Sequence, residues 1–172
     1  MNNTSHITID LQIATKQPVP TQAQFEQWVN AAIQVHLQDA EICIRLVDIP
    51  EITTLNETYR KKKGATNVLS FSYHDMPDET LLLGDIVICA DVVIQEAKKQ
   101  NISAESHFAR MVIHGTLHLL GYDHDTDEKA NIMENLEGIS LESVLARDGD
   151  MQLFKAVNII RQCARALAAA TE

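Results

Sequence analysis

Apolar and polar residues alternate over 6–13, HITIDLQI, a period of two that predicts a half-buried β-strand. Pro18 and Pro20 break that run, and beyond them the period changes. Phe25, Trp28, Val29, Ala32, Ile33 and Leu37 recur at helical spacing, and Thr21 stands where an N-cap is needed. Residues 41–48, EICIRLVD, alternate again and predict a second strand. Pro50 suits the first turn of a short helix through Ile52, Leu55 and Tyr59. Further strands are predicted at 67–73 and 81–90, with a polar turn over 74–80 between them and Gly84-Asp85 interrupting the second. Asp91 is expected to cap a helix reaching about Asn101, and Ser103 the next one, which stops at Gly121. Asp125-x-x-Glu128 has the form of a capping box opening another helix. Residues 150–168 are amphipathic, with Phe154, Val157, Ile160, Ala164 and Leu167 on one stripe.

Strands and helices mix without strict alternation. The expected class is α+β, a single mixed sheet of about four strands packed with about five or six helices. At 172 residues the chain can bury one sizeable core. One domain is expected over 1–149, followed by a C-terminal helix over 150–172.

Charge narrows the function. Fourteen Lys and Arg against 24 Asp and Glu leave a formal charge of −10. Such a chain is unsuited to coating DNA, and DNA is not an expected partner. A local basic site for RNA remains compatible, because steering depends on where charges sit. Cys43, Cys89 and Cys163 form no C-x-x-C pair, and the first two lie in apolar runs, as buried reduced thiols do. The N-terminal stretch has no secretory pattern, and no run approaches the roughly 20 apolar residues of a membrane span. A cytoplasmic location without a membrane partner is expected.

The chemistry concentrates in 114–125, His-Gly-Thr-Leu-His-Leu-Leu-Gly-Tyr-Asp-His-Asp. His114 and His118 are four apart on a predicted helix, a rotation of about 400°, so both imidazoles project on nearly the same side. Gly121 lets the chain reverse and bring His124 back towards them. Three neutral imidazoles suit Zn²⁺ and leave a fourth position open, as catalytic sites do. A lone helical histidine is more often an ordinary polar residue than a ligand. Here the pair is reinforced by the helix stop and the third histidine. His6, His36, His74 and His107 are scattered and carry no assigned chemistry.

The string HGTLHLLGYDHDTD resembles the signature of the YbeY family of bacterial endoribonucleases. LNETYRKKKGATNVLSFSY (55–73) and LLGDIVIC (82–89) resemble further segments of that family, in the expected order, and the likeness covers roughly residues 1–138. The resemblance implies zinc ligands at His114, His118 and His124 and a functional arginine at Arg60. It also implies a single-strand-specific, metal-dependent ribonuclease. Its expected work is ribosomal RNA maturation, including the 3′ end of the small-subunit RNA, and ribosome quality control. The expected partners are therefore single-stranded RNA, ribosomal RNA, and the ribosome or small-subunit assembly factors. The C-terminal stretch GISLESVLARDGDMQLFKAVNIIRQCARALAAATE departs from the family's usual ending.

These assignments have a chemical basis. A zinc ion can activate water and stabilise charge on a phosphoryl oxygen. Arginine's planar fork grips phosphate oxygens in pairs. Arg60 opens the densest basic run of the chain, Arg60-Lys61-Lys62-Lys63. Catalysis is assigned to Arg60 and His114, and RNA binding to Arg60, Lys61, Lys62 and Lys63, although a lysine run is also the ordinary make-up of a solvated loop. Asp85 is expected to orient a histidine or to cap a turn, and Asp123 and Asp125 to be exposed loop acids. Two other readings compete. A zinc protease of the H-E-x-x-H type needs a Glu at position 115, where this chain has Gly115. A non-catalytic, zinc-stabilised ribosome-binding module would show no metal-dependent turnover of RNA.

Overall fold

The computed structural model describes residues 6–33, 39–73 and 82–148. Its elements are β1 (His6–Ile13), α1 (Gln22–Ile33), β2 (Asp39–Val47), α2 (Ile49–Leu55), β3 (Val68–Ser72), β4 (Leu82–Cys89), α3 (Ala90–Gln100), α4 (Ala104–Leu119) and α5 (Asp127–Asp148). A π-helical turn, Asn56–Arg60, continues α2. The strands form one sheet in the order β1-β2-β4-β3. Neighbours β1 and β2, and β2 and β4, run parallel, while β3 lies antiparallel along the β4 edge. This is the mixed four-stranded α+β architecture that the alternating pattern predicts.

The two sheet faces differ. Ala40, Ile42, Ile44 and Leu46 alternate into the main core from β2. Three of them, Ile42, Ile44 and Leu46, meet Phe25, Trp28 and Ile33 of α1 and Phe108, Val112, Ile113 and Leu117 of α4. The opposite face carries a smaller cluster, Val47, Ile52, Leu69, Val87 and Cys89, with Leu55 and Phe71 against it. Helix α4 touches α1, α3, α5, β3 and β4. A helix apolar nearly all round belongs at the centre of a fold, and α4 therefore carries His114 and His118 on a rigid support.

Local signals explain most element ends. Thr21 and Gln24 form a reciprocal capping box: the Thr21 amide donates to Gln24 Oε1 at 2.8 Å, and the Gln24 amide to Thr21 Oγ1 at 3.4 Å. Ser103 caps α4 by accepting from the Ser106 amide at 3.1 Å. Two expected caps move by a residue or two. Helix α3 starts at Ala90 with Cys89 before it, so Asp91 lies inside the first turn and accepts from Gln17 Nε2 at 2.6 Å. Helix α5 is capped by Thr126, whose Oγ1 accepts from the Lys129 amide at 3.3 Å, while Asp125 pairs with the Lys129 ammonium at 3.0 Å. A hydroxyl one residue closer to the helix wins over the more distant carboxylate.

β4 continues through Gly84, but its register with β2 slips there: Glu41 pairs with Leu82 and Ile42 with Gly84, the interruption that the glycine predicts. A Cβ at Gly84 would meet the Phe71 carbonyl oxygen at 2.1 Å, so only glycine allows β3 and β4 this close. Cys43 and Cys89 are free thiols. Burial first, then the carboxylates of Asp85 and Asp10, pushes Cys43 up to about 11. Burial also raises Cys89, so neither is a ready nucleophile. Leu37, the turn at 74–80, Cys163 and the 150–168 stripe lie outside the described residues.

Candidate functional site

Helix α4 delivers His114 and His118 half-buried on one side, as their spacing requires. A paired hydrogen bond then closes the helix: Tyr122 N–H donates to Leu117 O at 3.1 Å and Gly121 N–H to His118 O at 3.0 Å. Gly121 takes φ 91°, the left-handed conformation this reversal demands. The returning chain brings His124 back over the helix. The ring centroids lie 4.6 Å apart for His114 and His118, 4.7 Å for His118 and His124, and 5.5 Å for His114 and His124.

One ring nitrogen from each histidine falls within 4.8 Å of the others, so the triad could hold a metal ion. His114 Nε2 and His118 Nε2 stand 3.1 Å apart. Two imidazole nitrogens on one tetrahedral metal, each bonded at about 2.0–2.1 Å, sit about 3.3 Å apart. Burial, helped by the neighbouring His114, His124 and Arg60, holds His118 down to about 4, so its lone pair is free at neutral pH.

Glu137 is the residue that the sequence reading missed. It reaches from α5 to accept the Nδ1–H of His114. With the proton held on Nδ1, the Nε2 lone pair faces the other imidazoles. Glu137 is 12% exposed and stands thirteen residues beyond His124, with no motif to mark it. Only the packing of α5 across α4 reveals it.

The π-helical turn lines the same groove. Such turns are rare and often mark functional sites. Arg60 is its last residue, and Lys61 follows in the left-handed conformation at φ 56°. Asn56, 5% exposed, donates its Nδ2 to the Gly64 carbonyl at 2.9 Å, and the Gly64 amide reaches Glu57 Oε1 at 3.3 Å. These bonds close the basic loop on its own helix. Arg60, Lys62 and Lys63 then line one groove with His114, His118, His124, Asn56, Ser70 and Asp123, a space of about 610 Å³. Lys61 is not among the lining residues, because the left-handed turn is made at that position.

Of the acidic residues, one departs from expectation and one follows it. Asp85 neither orients a histidine nor caps a turn; it accepts a hydrogen bond from the Tyr73 hydroxyl, which is raised to about 12 chiefly by that bond. Asp123 is an exposed loop acid, as expected, and Oδ1 accepts the His124 amide at 2.8 Å, which lowers its carboxyl below the usual range and steadies the loop. Gly115 packs against the sheet: a Cβ there would lie 2.9 Å from Ile86 Cγ2 and 3.2 Å from Ser70 Oγ. A glutamate beside the first histidine has no room.

The chain is similar to known proteins along most of its length. A family model described as Endoribonuclease YbeY matches residues 10–144. The chain is 50% identical to Endoribonuclease YbeY of Pseudomonas syringae pv. tomato over 141 residues, covering 80% of this chain and 84% of that one. It is 52% identical to Endoribonuclease YbeY of Pseudomonas fluorescens over 134 residues, covering 76% and 88%. The solution structure of TM1509 from Thermotoga maritima superposes with a TM-score of 0.60 at 26% identity, covering 81% of this chain and 91% of that one. Half-identity to two proteins of one name, over a span that holds α4, its loop and the basic turn, assigns the chain to the YbeY endoribonuclease family.

Proposed function

We propose that the protein is a zinc-dependent endoribonuclease that cuts single-stranded RNA, acting in ribosomal RNA maturation at the small-subunit 3′ end and in ribosome quality control. The observation that carries the reading is the shared groove: three imidazoles, Arg60 and two lysines line one space. Arg60, Lys62 and Lys63 place positive charge there, in a chain of net charge −10.

His114, His118 and His124 would hold the zinc, and an all-imidazole donor set suits that ion. When bound, zinc supplies Lewis-acid stabilisation of negative charge on a phosphoryl oxygen. Glu137 keeps the His114 proton on Nδ1 and so directs Nε2 inward. Arg60 donates to the non-bridging oxygens of the scissile phosphate and balances the charge that builds up there. Lys62 and Lys63 attract the flanking phosphates. Lys61, at the head of the loop, adds to the local field.

The protease reading lacks its base. No carboxylate can occupy position 115, which faces Ile86 and Ser70. The test is cleavage of one defined RNA, single-stranded and as a duplex. It is run with chelator, with zinc restored, and with His118→Ala. Cleavage of the single strand that needs the metal and His118 is expected. Metal-independent cleavage, or none at full zinc occupancy, overturns the reading.

A further inference from the structure

Behind the groove, three polar side chains from three elements meet in a place that lines no part of it. His107, on α4, is 2% exposed, and its Nε2 lies 2.7 Å from Glu96 Oε2 on α3. Asn67 brings Nδ2 to the same carboxylate, 3.1 Å from Oε2 and 3.4 Å from Oε1. The Asn67 Oδ1 accepts the Val68 amide at 2.7 Å, which fixes the amide with its nitrogen towards Glu96. The Asn67 carbonyl accepts the Cys89 amide at 2.9 Å and ties the same residue to the end of β4.

Both partners of Glu96 are donors. Asn67 offers N–H, and His107 offers Nε2–H. His107 Nδ1 is buried without a partner, which fits a bare lone pair better than an N–H left unbonded. Both donors lie nearest the same oxygen, Glu96 Oε2, at 2.7 and 3.1 Å, so one acceptor atom joins the two arms. An apolar residue at 107 would avoid the orphaned nitrogen altogether. The polar network is therefore better explained by the geometry it specifies than by the stability it adds.

That geometry spans the groove. His107 precedes His114 by two helical turns on the same stripe of α4. Anchoring His107 fixes the roll and axial setting of the helix that presents His114 and His118. Asn67 sits between the lining residues Thr66 and Val68, at the exit of the loop that carries Lys62 and Lys63. We propose that Glu96 is a positioning residue, whose carboxylate, shared by His107 and Asn67, sets the separation between the imidazole cluster and the basic loop. The activity arm of its test rests on the nuclease reading above; the other arms do not.

All three imidazoles come from α4 and the loop that directly follows it, so a change of roll carries them together. Glu96→Ala, which removes the shared acceptor, should therefore leave zinc affinity, measured by chelator competition, within about threefold of wild type. A misplacement of about 1 Å across a reacting site can cost on the order of 10²-fold. The same variant should accordingly lose at least about tenfold in kcat/KM on single-stranded RNA. A residue that only stabilises the fold would lower both together. Asn67→Ser and His107→Phe, whose side chains are joined only through Glu96, should each show a similar loss. Their combination should show no more than either alone, because one cut arm already frees the walls. Amide hydrogen exchange of segment 61–67 should rise several-fold in Glu96→Ala while α5 keeps its protection. Multiplicative losses in the double variant, or zinc affinity falling in step with activity, overturn the proposal. Should the wild-type protein cleave no RNA, the nuclease reading fails, and exchange of 61–67 decides this one: unchanged exchange refutes it and faster exchange supports it.

Discussion

Glu137 accepts the Nδ1–H of His114 across 23 residues of sequence and from a different helix. The bond determines which nitrogen of that imidazole is free, and so whether three lone pairs can converge.

Removing that partner should weaken metal binding without unfolding the protein. Loss of an outer carboxylate behind a ligating histidine typically costs about 10–100-fold in metal affinity or activity. Glu137→Ala should fall in that range, and Glu137→Gln, which still offers an oxygen to Nδ1–H, should fall less. Chelator competition measures it. Equal zinc affinity in wild type and Glu137→Ala would remove Glu137 from the site.

One zinc per chain is expected in protein purified without added metal, read by elemental analysis. His118→Ala should abolish it, since burial keeps this imidazole neutral and its lone pair free at pH 7. Full occupancy by a different metal would refute the zinc assignment, though not the three-histidine site.

Arg60 should matter to turnover and not to metal. Losing one preorganised electrostatic contact typically costs about 3–4 kcal/mol, a rate drop of roughly 10²–10³. Arg60→Ala should show that loss at saturating single-stranded RNA while zinc content holds. Arg60→Lys should recover little, because a point charge does not reproduce the paired grip. Lys62→Ala should mainly weaken binding and flatten its salt dependence. Wild-type cleavage by Arg60→Ala would refute the role given to it.

Gly115 should resist enlargement. A Cβ would sit 2.9 Å from Ile86 Cγ2 within the core. Overpacking costs about 1–3 kcal/mol, against a gain of roughly 0.5–1 kcal/mol for alanine over glycine in a helix. Gly115→Ala should thus be destabilised by about 0–2.5 kcal/mol, net of the two effects. Gly115→Glu, the residue a protease of the H-E-x-x-H type requires, should fold poorly. Thermal melting of the metal-free protein checks both, and a raised melting temperature for Gly115→Ala would show that the sheet yields.

Some of this was legible in order along the chain. Period two and period three-and-a-half place the strands and helices, because burial on one face imposes those spacings whatever the neighbours are. The histidine triad is equally local. His114 and His118 share a helical side by arithmetic, and Gly121 returns His124 through hydrogen bonds that close within six residues. Caps were less legible: Asp125 and Thr126 compete for one helix start, and a single residue of phase decides between a carboxylate and a hydroxyl.

The tertiary structure alone decided the rest. Glu137, and the Asn67–Glu96–His107 network, join residues that no period or spacing relates; they meet because α5 and α3 pack on α4. The sequence placed Arg60 in a basic run but could not say which of that run would face the imidazoles. The π-helical turn and the left-handed Lys61 turn Arg60, Lys62 and Lys63 to the groove and leave Lys61 off its wall. Local patterns determine elements because their forces act within a few residues of chain. A site built across elements depends on how those elements roll against one another, and that is set only when the common core is packed.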